Sequence, residues 1–310
     1  MSGQSVRQLL KRRSATIWRQ LRHDGQIFRR NRLAVLGVVI IAVFGILVLA
    51  YPILRATVFS HDMYNPMTGF DFRTLHPSKP GPEHWLGTDS LGHDVLSMLM
   101  AATPPTFVVG IAAALTTASI STLLGLLSAY YAGTVDAIVM QVADAFLLLP
   151  APLFMVIMGM RFPDLNSLHL GIVYGLIAGL GAATIVMRAQ ALQVVAKPFI
   201  NAARVAGGSH LHILFTHILP HMLPLAALQM MLAVTGAVVA DGFIAFFGFT
   251  HNTLNWGTMI YTSFTYSSAL GVATEWHVLL PPAFALSFFA AAFYFVSRGL
   301  YEVADPRTKD

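Results

Sequence analysis

Long apolar blocks separated by short polar stretches run through the whole chain. Six blocks of about 20 or more residues are nearly free of charged side chains, if two of them are each allowed one acid, and a helix of about that length crosses a hydrocarbon core. They lie at 33–54, 106–131, 137–160, 168–187, 223–249 and 278–297. The pattern predicts an all-α integral membrane protein with six transmembrane helices.

The composition agrees, because 56% of the 310 residues are hydrophobic and only 11% are charged. If both termini are cytoplasmic, most of the 19 Lys and Arg residues lie on the cytoplasmic side of the predicted spans. The predicted organisation is a basic cytoplasmic segment (1–32), a first span (33–54), an extracytoplasmic loop (55–105), a five-helix core (106–297) and a cytoplasmic tail (298–310). A long cytoplasmic loop, 188–222, interrupts the core.

The basic residues before the first span suit an anionic lipid surface, either as an amphipathic helix or as a disordered tail that sets the orientation. We therefore expect membrane lipid, and no nucleic acid, as the partner of this charge. The sequence contains no Gly-Lys pair and hence no P-loop for ATP phosphates. It also has no H-E-x-x-H and no G-x-S-x-G motif. We predict a chain without bond chemistry of its own.

The loop 188–222 has the pattern of a compact helical hairpin. Residues 199–206 favour a short helix that Gly207 and Gly208 can end with positive φ, and Ser209 is placed to cap a second helix over 210–216. Pro220 predicts a stop or bend before the chain re-enters the membrane. Its four histidines leave three hypotheses open: a metal site, a pH switch or a docking surface. We favour docking and predict no metal site.

Several motifs, in order along the chain, resemble one family. The segments are Asn201-Ala202-Ala203 with Gly207 and Ile218-Leu219-Pro220; His84-Trp85-Leu86-Gly87-Thr88-Asp89 with Leu91-Gly92-His93-Asp94-Val95-Leu96-Ser97; Asp144 with Pro150; Asn255-Trp256-Gly257; and Ala304-Asp305-Pro306-Arg307. They resemble the C-type permease subunits of the dipeptide, oligopeptide and nickel group of ABC importers. The sequence departs from the family pattern at four places: Asn201 replaces Glu, His93 replaces Arg, Gln141 replaces a common Arg, and Phe246-Phe247-Gly248-Phe249 replaces Leu-Gly-Leu-Gly.

The resemblance implies a type I importer permease in a bacterial or archaeal cytoplasmic membrane, forming half of a pathway for di- or oligopeptides. Its implied partners are a homologous B-type permease, one or two ATPase subunits and an extracytoplasmic solute-binding protein. The resemblance implies no cofactor in this chain, because ATP and Mg would bind to the ATPase subunits. The residues that it assigns to ATPase coupling are Asn201, Ala202, Ala203, Arg204, Gly207, Gly208, Ser209, His210, His212, Phe215, His217, Leu219 and Pro220.

Three further groups of residues are candidates for a role. Asp241, Gln229 and Met230 are candidates for the pathway or a gate, although Asp241 equally suits a hydrogen bond between helices. Asp144 and Arg188 are a candidate structural pair. In the outer loop, Trp85, Asp89, His93 and Asp94 suit either contact with the binding protein or a brace for the helix ends.

Two alternatives remain open from the sequence. A self-contained secondary transporter driven by protons would use Asp144, Asp241 or histidines as its relay. An ABC importer for nickel or another small solute would share the same architecture and differ only in its cargo.

Overall fold

The computed structural model describes residues 25–57, 63–162, 164–248, 254–269 and 276–304. Within these residues the secondary structure is helical, apart from one isolated β-bridge between Thr88 and Asp94. Residues 25–30 are helical. The further helices are α1 (Arg32–Thr57), α2 (Val95–Tyr131), α3 (Gly133–Leu147), α4 (Ala151–Arg161), α5 (Ser167–Leu180), α6 (Ala182–Val195), α7 (Pro198–Val205), α8 (His210–His212), α9 (Leu219–Phe246), α10 (Trp256–Ala269) and α11 (Trp276–Ala304). A π-helical segment, Ile213–Ile218, joins α8 to α9.

The described helices confirm an all-α membrane protein, with two departures from simple spans. Four helical stretches are long and apolar enough to cross a membrane, and two bent pairs bring the number to six if each counts as one span. The third predicted span is α3 plus α4, bent by 76°, and the fourth is α5 plus α6, bent by 47°. The orientation of the termini stays a prediction.

The predicted loop between the first two spans is shorter than expected. Helix α1 continues to Thr57, and α2 begins at Val95 rather than at residue 106. Asp94 starts α2, because its carboxylate accepts a hydrogen bond from the Ser97 backbone N–H at 2.7 Å. A connection of about 37 residues therefore replaces the predicted loop of about fifty.

Helix α2 is the central element, since it packs against α1, α3, α5, α6 and α9. Its contact with α5 depends on Gly171, Gly175 and Gly179, which lie one turn apart on one face of α5. A Cβ added at Gly171 would lie 2.5 Å from the Val109 carbonyl oxygen, and one at Gly175 would lie 2.6 Å from Thr116 Cβ. A Cβ at Gly179 would lie 3.2 Å from Thr117 Cα, so small residues allow α5 and α2 to pack closely, whereas Gly181 lies at the break between α5 and α6.

Two hydrophobic clusters lie at opposite ends of α2, which is about 55 Å long. The first cluster includes Val95 and Met98 and is built around Trp256 and Phe289, whose ring centroids are 5.4 Å apart. The second includes Leu126 and Tyr130 and extends to α6, α7 and the π-helical segment. The loop 188–222 is thus packed onto one end of the helical core.

Candidate functional site

Residues 198–218, which we call the knob, form the predicted helical hairpin. Helix α7 ends at Val205, and Gly207 has a φ of +81°, as expected for a helix-ending glycine. The Gly208 N–H donates to the Ala203 carbonyl at 3.0 Å. The Ser209 hydroxyl then accepts a hydrogen bond from the His212 N–H and starts the second helix. The local geometry of this turn confirms the prediction from sequence.

Of the stop or bend predicted at Pro220, the stop is wrong, because the chain stays helical from His210 to Phe246. The π-helical segment accommodates the proline, because its wider turn shifts the hydrogen-bonding register just before Pro220. Pro220 then lies in the first turn of α9, where a missing N–H leaves little unsatisfied. The knob therefore continues directly into a long membrane helix.

Buried aliphatic side chains hold the knob against the core. Ile200 of α7 and three residues of the π-helical segment, Ile213, Leu214 and Ile218, are almost fully buried. They pack against residues near the ends of α2 and α6, including Leu126, Met187, Ala191 and Val194. Burying side chains of this size stabilises the arrangement by about 1.5–3 kcal/mol each, as an upper estimate. The knob is fixed to the core by apolar packing.

Tyr130, at the end of α2, contacts both arms of the knob, which are α7 and the helical segment that begins at His210. Its hydroxyl lies 2.8 Å from His210 Nδ1, and the Arg204 guanidinium lies 5.1 Å from the centre of its ring. A cation over an aromatic face is attracted by the ring quadrupole. Tyr130 therefore ties α7 and the second arm to the same point of the core.

The other three histidines of the loop 188–222 have separate partners. His212 and His217 meet edge to face with ring centroids 5.4 Å apart, while His221 places Nδ1 3.0 Å from the His217 carbonyl oxygen and stacks on Phe199. Among the described residues, no three His, Asp or Glu side chains converge to hold a metal ion. The metal hypothesis therefore has no ligand set in the part of the chain that the structure describes.

The outer surface of the knob is apolar and basic. Val205, Leu211 and Phe215 are 90%, 66% and 54% exposed, and Arg204 is exposed beside them. Of the remaining predicted coupling residues, Asn201, Ala202, Gly207, Ser209, His210, His212 and Pro220 are exposed, and Ala203, Gly208, His217 and Leu219 are partly buried. Val205 and Leu211 are absent from the coupling residues predicted from sequence, although each is an aliphatic residue close to the turn at Gly207 and Gly208. A surface of this kind is typical of a protein interface.

The predicted Asp144–Arg188 pair is wrong. Arg188 instead makes a two-pronged ion pair with Asp136, through Nε and Nη2, and Ser128 donates its hydroxyl to the same carboxylate. The turn between α2 and α3, where Ala132 and Gly133 both have positive φ, brings Asp136 back beside α2. Asp144 lies two turns further along α3 and is exposed.

Asp241 is buried in α9, with 4% of its surface exposed, and accepts a hydrogen bond from Asn255 Nδ2 at 2.9 Å. Asn255 also caps α10, since its side-chain oxygen accepts from the Thr258 N–H at 2.8 Å. The structure therefore contains the interhelical hydrogen bond that the sequence left as an alternative to a gate. Gln229 is buried and Met230 is partly buried on the same helix.

In the connection before α2, the four candidate contact residues have different environments. Asp89 is buried and accepts hydrogen bonds from the backbone N–H groups of Leu91 and His93, while Asp94 caps α2 and contacts His84 Nδ1 at 2.9 Å. Trp85, in contrast, is 73% exposed. Asp89 and Asp94 thus brace the start of α2, and Trp85 is the residue of the four that offers an open surface.

His93 makes this brace depend on pH. Burial lowers the pKa of His93, but the hydrogen bond and charge of Asp89, with a further hydrogen bond to the Met67 carbonyl, outweigh it and hold the pKa above 6.5. A pKa raised on folding gives stability that is complete below about pH 6.5 and is lost as the pH rises through the raised value.

We therefore expect His93→Gln to flatten the fall in thermal stability between about pH 6 and pH 8.5. The midpoint of thermal unfolding of the purified protein, measured across this range, tests the expectation. His76 and His84 remain in both proteins, so the difference between the two pH profiles isolates His93. An unchanged pH profile in the variant would contradict the role given to this side chain.

Comparison with known proteins places the chain in a family. Residues 121–310 match the family described as the binding-protein-dependent transport system inner membrane component. The chain is 30% identical over 284 residues to the oligopeptide transport system permease protein OppC of Haemophilus influenzae, covering 91% of this chain and 87% of the relative. The proteins of the same name from Mycobacterium tuberculosis and Bacillus subtilis are 28% and 26% identical, covering 91% and 97% of this chain and 93% of each relative. The chain therefore belongs to the family of binding-protein-dependent transport system inner membrane components.

Proposed function

We propose that this chain is a permease subunit of an ATP-driven importer of peptides and that the knob is its docking point for an ATPase subunit. The observation that carries the proposal is the exposed surface of Val205, Leu211 and Phe215, held on a buried aliphatic base. The peptide cargo is inferred from the relatives that are named as oligopeptide permeases. ATP and Mg would bind to the partner subunit and not to this chain.

The packing explains how movement of an ATPase subunit would reach the membrane. Force on the knob would pass through Ile213, Leu214 and Ile218 to the second hydrophobic cluster and along the uninterrupted helix into α9. Tyr130 would pass it to α2 through His210 and Arg204. Alternating access needs such coupling, because ATP binding must stabilise one of two arrangements of the pathway more than the other.

Two further partners belong to the same proposal. A homologous B-type permease would complete the pathway, and a solute-binding protein would deliver the peptide on the opposite face of the membrane from the knob. Trp85 is a suitable contact for the binding protein, because exposed aromatic side chains are enriched in protein interfaces. The knob side would be cytoplasmic, as the distribution of Lys and Arg predicts.

Reconstitution tests the proposal. The complex purified from native membranes through a tag on this chain should contain a second permease and one or two ATPases. In vesicles supplied with the binding protein, we expect uptake of a labelled peptide that requires ATP. Two controls are vesicles without the binding protein and vesicles with this chain alone under a proton gradient. Uptake by the chain alone without ATP would establish a secondary transporter instead, and ATP-driven uptake of nickel but not peptide would change the cargo.

A further inference from the structure

One face of α3 is polar or small along its length and has no cover in the described part of the chain. Thr134, Ala137, Gln141 and Asp144 recur every three or four residues, which places them on one side of the helix. All four are exposed. Gln141 and Asp144 have no hydrogen-bond or ionic partner among the residues that the structure describes. The neighbouring stripe of α3, with Val135, Ile138 and Val142, is apolar.

Asp144 lies close to the middle of the broken span formed by α3 and α4. It is about 16 Å from the start of α3 along the helix axis, roughly half of a 30 Å hydrocarbon core. A carboxylate facing lipid at that depth is costly on every scale, and acids inside spans face protein or water. Arg188 does not neutralise it, because its Nε and Nη2 groups are bound to Asp136.

The break between α3 and α4 is a second observation that favours protein or water over lipid here. Leu148, Leu149 and Pro150 are non-helical and exposed, with Leu148 82% exposed. Backbone that leaves the helix at membrane depth needs protein or water around it, because lipid offers no hydrogen bonds. In transporters, broken spans of this kind often surround the cargo site. The unpartnered carboxylate and the non-helical backbone at the end of α3 therefore both favour protein or water over lipid in this part of the span.

We propose that the Thr134–Ala137–Gln141–Asp144 face of α3 lines a water-filled translocation pathway and that Asp144 is a specificity residue that receives the ammonium groups of the cargo. The identity of the cargo rests on the peptide importer proposed above, whereas the water-filled face does not. Peptides carry an α-ammonium group near neutral pH, and lysine adds a second. A carboxylate without an internal partner is complementary to both. The carboxylate would act by attraction alone, with no covalent step.

Cysteine labelling tests the water-filled face, and the absence of cysteine from the chain makes each variant a single site. Gln141→Cys lies on the polar face, and the matched control Val142→Cys lies only about 1.5 Å deeper but about 100° around the helix. In the assembled complex in vesicles, a cationic thiol reagent should modify Gln141→Cys more than about tenfold faster, because only a hydrated thiol ionises readily. The unsubstituted complex corrects for cysteines of the partner subunits. If Gln141→Cys reacts no faster than the control, the face is covered by the companion permease or by lipid. That result would overturn the proposal.

Charge selectivity tests the role of Asp144. Two tripeptides that differ only by Lys or Gln at the central position are compared, each normalised to its uptake by the unsubstituted complex. Asp144→Asn should lower the preference for the Lys peptide about two- to fivefold, the size expected of a hydrated charge pair, and Asp144→Glu should retain it. An unchanged preference in Asp144→Asn would overturn the specificity role, whether or not the uptake of both peptides falls through their shared α-ammonium group. If the unsubstituted complex imports neither peptide with ATP, the proposed function fails, while the labelling result still decides whether the face is hydrated.

Discussion

Leu211→Glu should abolish most ATP-driven uptake without unfolding the protein. Leu211 is two-thirds exposed at the start of the second arm of the knob, where Ser209 caps the helix. If this side chain enters an apolar groove of an ATPase subunit, a carboxylate at the same place must lose its hydration without gaining a partner. A central interface residue contributes about 2 kcal/mol or more, which corresponds to about a 30-fold loss of affinity.

The measurement is the amount of ATPase that co-purifies with the chain, together with peptide uptake in vesicles. Leu211→Met is the matched control, because it keeps the volume and the apolar character and should leave both nearly unchanged. Thermal unfolding should be equal in the two variants, since the exposed side chain has little buried contact to lose. Normal ATPase recovery and uptake with Leu211→Glu would remove the knob as the docking point.

Gly171→Leu should disrupt the membrane core itself. Even a Cβ at this position would lie 2.5 Å from the Val109 carbonyl oxygen and 2.7 Å from Ala112 Cβ. These neighbours are helix backbone and a short side chain, which cannot rotate away, so α5 must move off α2 and lose the packing at Gly175 as well. Overpacking costs about 1–3 kcal/mol in general, and we expect the upper end here or more.

Thermal unfolding and the monodisperse fraction in detergent report this loss. Gly45→Leu is the matched control, because it also places leucine in a membrane helix but has no atom within 4 Å of the added Cβ. The control should unfold at nearly the original temperature. Equal stability of the two variants would show that α5 and α2 do not depend on close backbone contact.

Local signals in the sequence predict the knob well and its connection to the membrane poorly. Gly207 and Ser209 act on their own backbone or on residues within one turn, so their effect can be predicted without the rest of the fold. The helix stop predicted at Pro220 does not occur, because the π-helical segment before it changes the hydrogen-bonding register. No residue type in the sequence indicates that change. The exposure of Val205 depends on where the knob meets α2, which is a tertiary property.

The carboxylate that pairs with Arg188 also could not be predicted from the sequence. Asp136 and Asp144 both lie on α3 and both carry a carboxylate, so composition and spacing do not decide which of them reaches Arg188. The answer depends on the sharp turn at Ala132, a non-glycine residue with positive φ. Hydropathy likewise finds the third and fourth spans but not their bends, since an apolar block reads the same whether it forms one helix or two.

The unbroken run from His210 to Phe246 makes the knob one end of a lever. Asp241 lies about 46 Å along this run from His210, at 1.5 Å per residue. A tilt of about 5° about the knob end would displace Asp241 by about 4 Å, more than the 2.9 Å that separates its carboxylate from Asn255 Nδ2. If an ATPase subunit docks on the knob, a small angular change there would be enough to break the Asp241–Asn255 hydrogen bond near the other end of the run.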